Sequence, residues 1–307
     1  MSAGSGRIAI IAALLANAGI AVAKFVGYLI TGSSSMLAEG VHSVADTSNQ
    51  GLLLLGQKRA KREATQQHPF GYGRDRYFYS FVVALLLFSL GSVFALYEGF
   101  HKLESHEQLT SPLVAIVILV VAIVLETLSF RTAIRESRPL KGHGTWWRFV
   151  RQSKSPELPV VLLEDAGALC GLFFALGGVG LTVLTGDIVW DAIGTLCIGV
   201  LLGVIAIILI VETKSLLIGE GSGPDELRSI LTAMVGRGVD RVIHVKTQYL
   251  GPEELLIAAK IAVPATMSTT EVAQAINEAE TRIRSAVPAA RIIYLEPDLD
   301  RTPVTSS

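Results

Sequence analysis

Six stretches of this 307-residue chain have the length and apolar character needed to cross a membrane, which takes about 20 residues of helix. They lie near residues 8–31, 34–57, 77–103, 112–133, 158–185 and 188–217. Half of the residues are hydrophobic and only 17% are charged, a balance that is unusual for a soluble protein. We therefore predict an α-helical membrane protein with a bundle of six transmembrane helices.

Basic residues are concentrated in two of the loops between these spans. The loop after the second span carries Lys58, Arg59, Lys61, Arg62, Arg74 and Arg76, and the loop after the fourth carries a comparable set between residues 131 and 154. The positive-inside rule places such loops in the cytoplasm. The prediction is a multi-pass protein of the cell (inner) membrane with both termini cytoplasmic.

The loop after the fourth span also contains Trp146, Trp147 and Phe149 among its basic residues. Aromatic side chains beside cations are typical of segments that rest at the membrane–water interface. We therefore expect this loop to lie against the bilayer surface.

The composition changes after Leu217 to that of a small soluble domain. Its periodicity predicts the order αββαβ, a two-layer α+β domain, with Thr269 or Thr270 as the cap of its second helix. The predicted domains are residues 1–217, 218–300 and a disordered tail over 301–307. The predicted elements are Pro224–Val235, Val239–Tyr249, Glu254–Val263, Thr269–Ala286 and Ala290–Glu296.

A polar stripe interrupts the second span. Glu39, His42, Asp46 and Asn49 follow one another at offsets of three and four residues, which places them on one face of a helix. Ionisable groups inside a membrane are costly and usually mark an ion or proton path. Imidazole and carboxylate together suit zinc and other transition metals, whereas the alternative is a hydrogen-bonded pair that joins two helices.

Further acids occur in the fourth and fifth spans. Glu164 and Asp165 are adjacent in the fifth span, which contains no Lys or Arg, so a cation or protons must accompany them. Glu126 lies in the fourth span. It is a metal ligand, a proton carrier or the partner of Lys24 in the first span.

The first two spans and the loop after them resemble the cation diffusion facilitator family. The resemblance rests on Asn17…Lys24…Gly27…Gly32-Ser33…Leu37-Ala38-Glu39…His42-Ser43…Asp46 and on the loop His68-Pro69-Phe70-Gly71-Tyr72-Gly73-Arg74. It implies six spans and a cytoplasmic αββαβ domain of metallochaperone-like fold. It also implies a homodimer that exports zinc or another divalent metal in exchange for protons.

The family's transport site has two ligands on span two and two on span five, each pair four residues apart. His42 and Asp46 match the first pair, and Asp165 matches the second member of the other pair. Val161 stands where the family often has histidine, and valine cannot bind a metal. The resemblance therefore implies the ligands His42, Asp46 and Asp165, with Glu164 as a substitute. Additional metal or proton-relay candidates are Glu126, Asn49, Glu39 and His68.

Several of the family's accessory metal-binding positions lack the usual ligand residue in this chain. In the loop, His68 matches a ligand position, but Tyr72 replaces the second histidine. In the cytoplasmic domain, His244 and Glu296 match ligand positions, whereas Lys260 and Tyr294 replace histidines. Asp298 and Asp300 are expected to form a solvated end of this domain, exposed to water. The domain is expected to serve mainly as a dimer surface.

The predicted function is efflux of a divalent cation, zinc first, in exchange for protons, by a transporter rather than an enzyme. Manganese, iron and cobalt are alternative substrates. No cofactor is expected beyond the transported cation, and the expected partners are the lipid bilayer and a second copy of the chain, not nucleic acid. Other possibilities are a metal-responsive scaffold of the same fold that does not transport, and a transporter of a non-metal substrate.

Overall fold

The computed structural model describes residues 5–31, 34–105 and 112–298. The chain divides into two compact units. The helical unit comprises Met1–Arg59 and Asp75–Lys214, and the α+β unit comprises Ala60–Arg74 and Ser215–Ser307. The tail from Arg301, predicted to be disordered, lies outside the described residues.

The helical unit is built from long helices. Its second and third spans are joined by a loop that belongs to the other unit, and its third span contains a π-helical segment, Leu87–Val93, between two α-helices. The helices are α1 Ser5–Thr31, α2 Ser34–Arg59, α3 Asp75–Leu86, α4 Phe94–Ser105, α5 Pro112–Lys141, α6 Trp146–Gln152, α7 Glu157–Thr185 and α8 Val189–Ile218.

Four helices in the described part of the chain are long and apolar enough to cross a membrane. They are Asp75–Glu104, Pro112–Lys141, Glu157–Thr185 and Val189–Ile218. These confirm a helical membrane protein and the last four predicted spans. The helices α1 and α2 have 27 and 26 residues, but α2 carries the polar stripe that lowers its hydropathy. Their assignment as spans stays a prediction.

Helix α5 extends eight residues beyond the predicted end of its span at Ala133. The prediction followed the apolar run, whereas the charged residues Arg135, Glu136 and Arg138 after it are good helix formers, and the helix continues past Pro139 to Lys141. The predicted interfacial loop is correspondingly shorter and contains the two-turn helix α6. Thr145 caps α6, since its side chain accepts a hydrogen bond from the amide of Arg148.

A buried apolar cluster holds the helical unit together. It draws on α2, α3, α5, α7 and α8, and Val161 of α7 is one of its members with no exposed surface. An ion pair between Arg76 and Glu157 also joins the first turns of α3 and α7. The core members include Leu53, Val83, Ala84, Ala133, Val160, Leu202, Ala206 and Leu209.

The α+β unit has the predicted order αββαβ. Its elements are α9 Pro224–Met234, β1 Arg241–Gly251, β2 Glu254–Ala262, α10 Thr269–Ala286 and β3 Ala290–Asp298. The sheet order is β1-β2-β3, with β1 and β2 antiparallel and β2 and β3 parallel. A parallel pair needs a crossover connection, which α10 provides.

The cap of α10 differs from the prediction. The N-cap is Ser268, one residue before Thr269. Ser268 accepts a hydrogen bond from the amide of Glu271, and the Glu271 carboxylate accepts one from the amide of Ser268. This reciprocal capping box explains the choice, because only Ser268 has a glutamate three residues later.

Candidate functional site

An internal cavity of about 80 Å³ lies in the helical unit. Helices α1, α2, α5, α7 and α8 and the π-helical segment contribute to its wall. A water molecule needs only about 10–15 Å³ of such space, so several waters or one ion with part of its hydration shell fit there. The polar lining side chains are Asn17, Lys24, Ser43, Asp46, Glu126 and Glu164.

Glu164 is the α7 carboxylate at this cavity. It is 4% exposed, and each of its oxygens accepts a hydrogen bond from an amide side chain of α2. Asn49 Nδ2 donates to Glu164 Oε1 at 3.2 Å, and Gln50 Nε2 donates to Glu164 Oε2 at 2.8 Å. Both donors are uncharged, so they orient the carboxylate without cancelling its charge.

Asp165 faces a different neighbour. Consecutive residues of an α-helix point about 100° apart, and Asp165 accepts its hydrogen bond from Ser129 Oγ of α5 at 2.8 Å. It is 1% exposed. Among the described residues, α7 lines the cavity with Glu164 but not with Asp165.

Glu126 brings a third carboxylate to the cavity. It is buried on α5 and lines the cavity with Asp46 and Glu164. Lys24 of α1 lines the same cavity, and its Nζ donates to Ser43 Oγ of α2 at 2.9 Å. The structure thus brings three predicted acids, Asp46, Glu126 and Glu164, and Lys24 to one cavity inside the helix bundle.

Two members of the predicted stripe have no described side chain. Glu39 and His42 belong to α2, but their side chains lie outside the part of the chain that the structure describes. Among the described residues, no three His, Cys, Asp or Glu side chains are close enough to hold a metal ion. The predicted ligand set His42, Asp46, Asp165 and Glu164 stays a prediction.

His68 lies in the other unit. It is exposed in the loop between α2 and α3, and its ring centroid is 4.7 Å from that of Tyr72. The described residues place no group of three possible metal ligands around it.

In the α+β unit, Lys260 lies beside the residues that match the family's accessory metal positions. Lys260 pairs in register with His244 on one side and with Glu296 on the other. Its Nζ lies 2.9 Å from Glu296 Oε1 and 3.1 Å from Asp298 Oδ2. The hydrogen bonds that Lys260 donates to these carboxylates, to Glu296 first, raise the pKa of Lys260. Asp298 is thus partly exposed and ion-paired with Lys260, so its place at a solvated end stays a prediction, and Asp300 lies outside the described residues.

Sequence reasoning missed Gln50 and Ser129. Gln50 follows His42 and Asp46 at the same spacing of four, so the helical period predicts its place on the stripe. Ser129 follows Glu126 by three residues, a spacing that also shares a face. Both spacings are visible in the sequence, but an amide or hydroxyl side chain in a span indicates a functional site less strongly than a charged one does.

Comparison with known proteins identifies the family. The family model described as the cation efflux transmembrane domain matches residues 10–218. The chain is 34% identical over 261 residues to the mitochondrial proton-coupled zinc antiporter SLC30A9 of Xenopus laevis, covering 84% of this chain and 46% of that protein. Its mouse counterpart is 33% identical over 241 residues, or 78% of this chain and 42% of that protein.

A plant relative gives a similar match. Metal tolerance protein C4 of Arabidopsis thaliana is 29% identical over 258 residues, covering 82% of this chain and 56% of that protein. The chain thus spans about half the length of the curated relatives it matches. The family model covers well over half of the chain and includes every helix that lines the cavity. The chain therefore belongs to the cation diffusion facilitator family of membrane transporters.

Proposed function

We propose that this protein exports a divalent metal cation across the membrane in exchange for protons, with zinc as the expected substrate. The observation that carries the proposal is the convergence of Asp46, Glu126 and Glu164 on one cavity inside the helix bundle. Buried carboxylates repel one another unless a cation or protons join them. The SLC30A9 relatives of mouse and Xenopus laevis are named as proton-coupled zinc antiporters, which supports the same reaction.

The ligands in this proposal are His42 and Asp46 on α2 with Glu164 and Asp165 on α7. A metal binds the deprotonated forms of imidazole and carboxylate, so its arrival releases protons and its departure allows them to return. Glu126 is assigned to proton transfer, because it is buried and lines the same cavity as Asp46 and Glu164. Rocking of the helix bundle then exposes the loaded site to the other side of the membrane.

The choice of metal follows from the donor atoms. With Val161 in the apolar cluster, the ligands proposed on α7 are carboxylate oxygens only. Oxygen donors select less strongly for zinc than imidazole does. Manganese, iron and cobalt are therefore the alternative substrates.

The assembly and the site of action are also proposals. We infer a homodimer that associates through the α+β unit, in the cell (inner) membrane, with both termini in the cytoplasm. The basic loops after α2 and α5 support this orientation.

A second candidate is a metal-responsive scaffold that binds metal without moving it. Two observations favour it: Val161 cannot be a ligand, and the described residues hold no group of three metal ligands. In this case metal binding and metal-dependent proton movement would be separable.

Reconstitution in liposomes distinguishes the two functions. Vesicles that enclose a metal dye and a pH dye should show metal entry coupled to opposite proton movement when zinc is added. Asp46→Ala and Asp165→Ala should each abolish both signals while the protein stays folded. Metal binding without either flux would support the scaffold and overturn the transport proposal.

A further inference from the structure

A second pocket lies at one end of the helical unit, apart from the acidic cavity. It measures about 430 Å³ and is formed by the end of α5, by α6 and by the segment that leads to α7. Both α5 and α7 are apolar enough to span a membrane. The ends of spanning helices lie at the level of the lipid headgroups, so the pocket lies there too.

The pocket is positively charged. Lys141, Arg148 and Lys154 line it, and none of the described lining residues is acidic. Lys141 Nζ donates to the carbonyl of Gly144, and Arg148 Nε donates to Gln152 Oε1 at 2.8 Å. These acceptors are neutral, so within the described part of the chain they do not cancel the positive charges of Lys141 and Arg148.

The neighbouring Arg151 provides a contrast. Its Nε lies 3.1 Å from Glu212 Oε1, so that charge is already paired with an acid of α8. It is not among the pocket residues. Arg148, the α6 cation that lines the pocket, therefore donates to a neutral acceptor, whereas Arg151 is paired with an acid.

Neutral polar groups complete the lining. Gln152, Ser153 and Ser155 lie beside the cations. Hydroxyl and amide groups together with lysine and arginine are the usual ligands of phosphate oxygens. The pocket therefore matches an anionic group such as phosphate better than a neutral ligand.

Exposed apolar side chains lie on and beside the segments that form this pocket. The exposed fractions of Trp146 and Trp147 are 37% and 55%, and Leu140, which lines the pocket, is 45% exposed. Lys141 Nζ lies 5.2 Å from the centroid of the Trp146 ring. Tryptophan prefers the headgroup region of a bilayer, and Leu140 adds an exposed apolar side chain beside the cations.

We propose that this pocket binds the phosphate group of one anionic phospholipid. Lys141, Arg148 and Lys154 hold the phosphate, and the rest of the lipid passes Leu140 and Trp146 toward the bilayer. A lipid is favoured over free phosphate because the cations and the apolar, membrane-facing surface adjoin each other. Basic pockets at the ends of transmembrane helices attract anionic headgroups in this way.

The test is native mass spectrometry of the full-length protein in detergent with phosphatidylglycerol or phosphatidylcholine added. The wild type should retain one phosphatidylglycerol per chain in preference to phosphatidylcholine. The variant Lys141→Gln/Arg148→Gln/Lys154→Gln should bind it about tenfold more weakly. The single variant Arg148→Gln, which leaves the Lys141–Trp146 contact intact, should bind about threefold more weakly and covers the case in which the triple variant does not fold.

The matched control is Lys58→Gln/Lys61→Gln/Arg62→Gln, which removes three exposed charges from the other basic loop. It should bind phosphatidylglycerol like the wild type. Equal loss in the control would show that overall charge, not the pocket, holds the lipid. Equal retention of the two lipids by the wild type would also overturn the proposal. Displacement of the lipid by millimolar inorganic phosphate would assign the pocket to a free anion instead.

Discussion

Gln50 Nε2 donates a hydrogen bond to Glu164 Oε2 at 2.8 Å, which ties the polar stripe of α2 to the acidic pair of α7. Gln50 has no exposed surface, and Glu164 has 4%. Asn49 donates to the other oxygen of the same carboxylate. The two amides thus fix the orientation of the carboxylate that we assign to the place of the missing family histidine.

Removing the Gln50 donor should weaken metal binding. In Gln50→Leu, Glu164 keeps only the Asn49 contact, and a hydrogen bond to a charged group contributes about 1.5–3 kcal/mol. We expect about tenfold weaker zinc binding, measured by titration of the detergent-purified protein. Ser80→Ala is the control, because this buried hydroxyl has no hydrogen-bond partner among the described residues. Unchanged affinity in a folded Gln50→Leu protein would show that the amide does not position a ligand.

Substitution of Gly73 by a larger residue should disturb the packing of the α+β unit. A Cβ atom at this position would lie 2.8 Å from the carbonyl oxygen of Leu250, closer than real contacts allow. Gly73→Ala should therefore loosen the loop 60–74 from the turn between β1 and β2, at a cost of about 1–3 kcal/mol. Faster amide hydrogen exchange in this loop would report the change.

The control for Gly73 is Gly223→Ala, since Gly223 has no neighbour within 4 Å of its would-be Cβ atom and a φ of −65°. It should leave the exchange of the loop unchanged. Equal protection of the loop in Gly73→Ala and the wild type would mean that the loop does not depend on this close approach.

The cap of α10 should be sensitive to acid. Hydrogen bonds from Ser268, first its amide and then its hydroxyl, lower the pKa of Glu271 below its ordinary value of 4.5. A carboxyl group with a lowered folded-state pKa stabilises the fold above its unfolded pKa, and this contribution is lost as the pH falls through the lowered value. Amide exchange at the start of α10 should thus accelerate below about pH 4.5, relative to its intrinsic rate.

Glu271→Gln should remove this acid-dependent step. Glu278→Gln, two turns further along the same helix, should retain it. A step of the same size in wild type and Glu271→Gln would assign the acid sensitivity to another group.

Much of the fold followed from local patterns. The bounds of α10 agree with the predicted Thr269–Ala286, because its apolar residues recur with the helical period and face the sheet. The extension of α5 beyond Ala133 was missed, since hydropathy marks the end of an apolar run and not the end of a helix. The cap at Ser268 depends on Glu271 three residues later, so it is predicted only when the two residues are considered together.

The site was harder to predict than the fold. Periodicity placed Asp46 and Asn49 on one face of α2, but it cannot show which helix that face meets. The contact between Gln50 and Glu164 joins residues 114 positions apart, and the Ser129–Asp165 contact joins residues 36 apart. Such pairs depend on how the helices pack, which no pattern within a single helix contains.

The measurement that most directly tests the central claim is equilibrium metal binding to the wild type and to Glu164→Gln. The glutamine keeps the shape of the side chain but removes its negative charge. A divalent cation in the cavity would lose a strong electrostatic attraction to this residue. We predict about tenfold or greater loss of affinity for zinc and manganese, with the melting temperature without metal unchanged or higher. Wild-type affinity for both metals in Glu164→Gln would contradict the account, because Glu164 would then be no ligand.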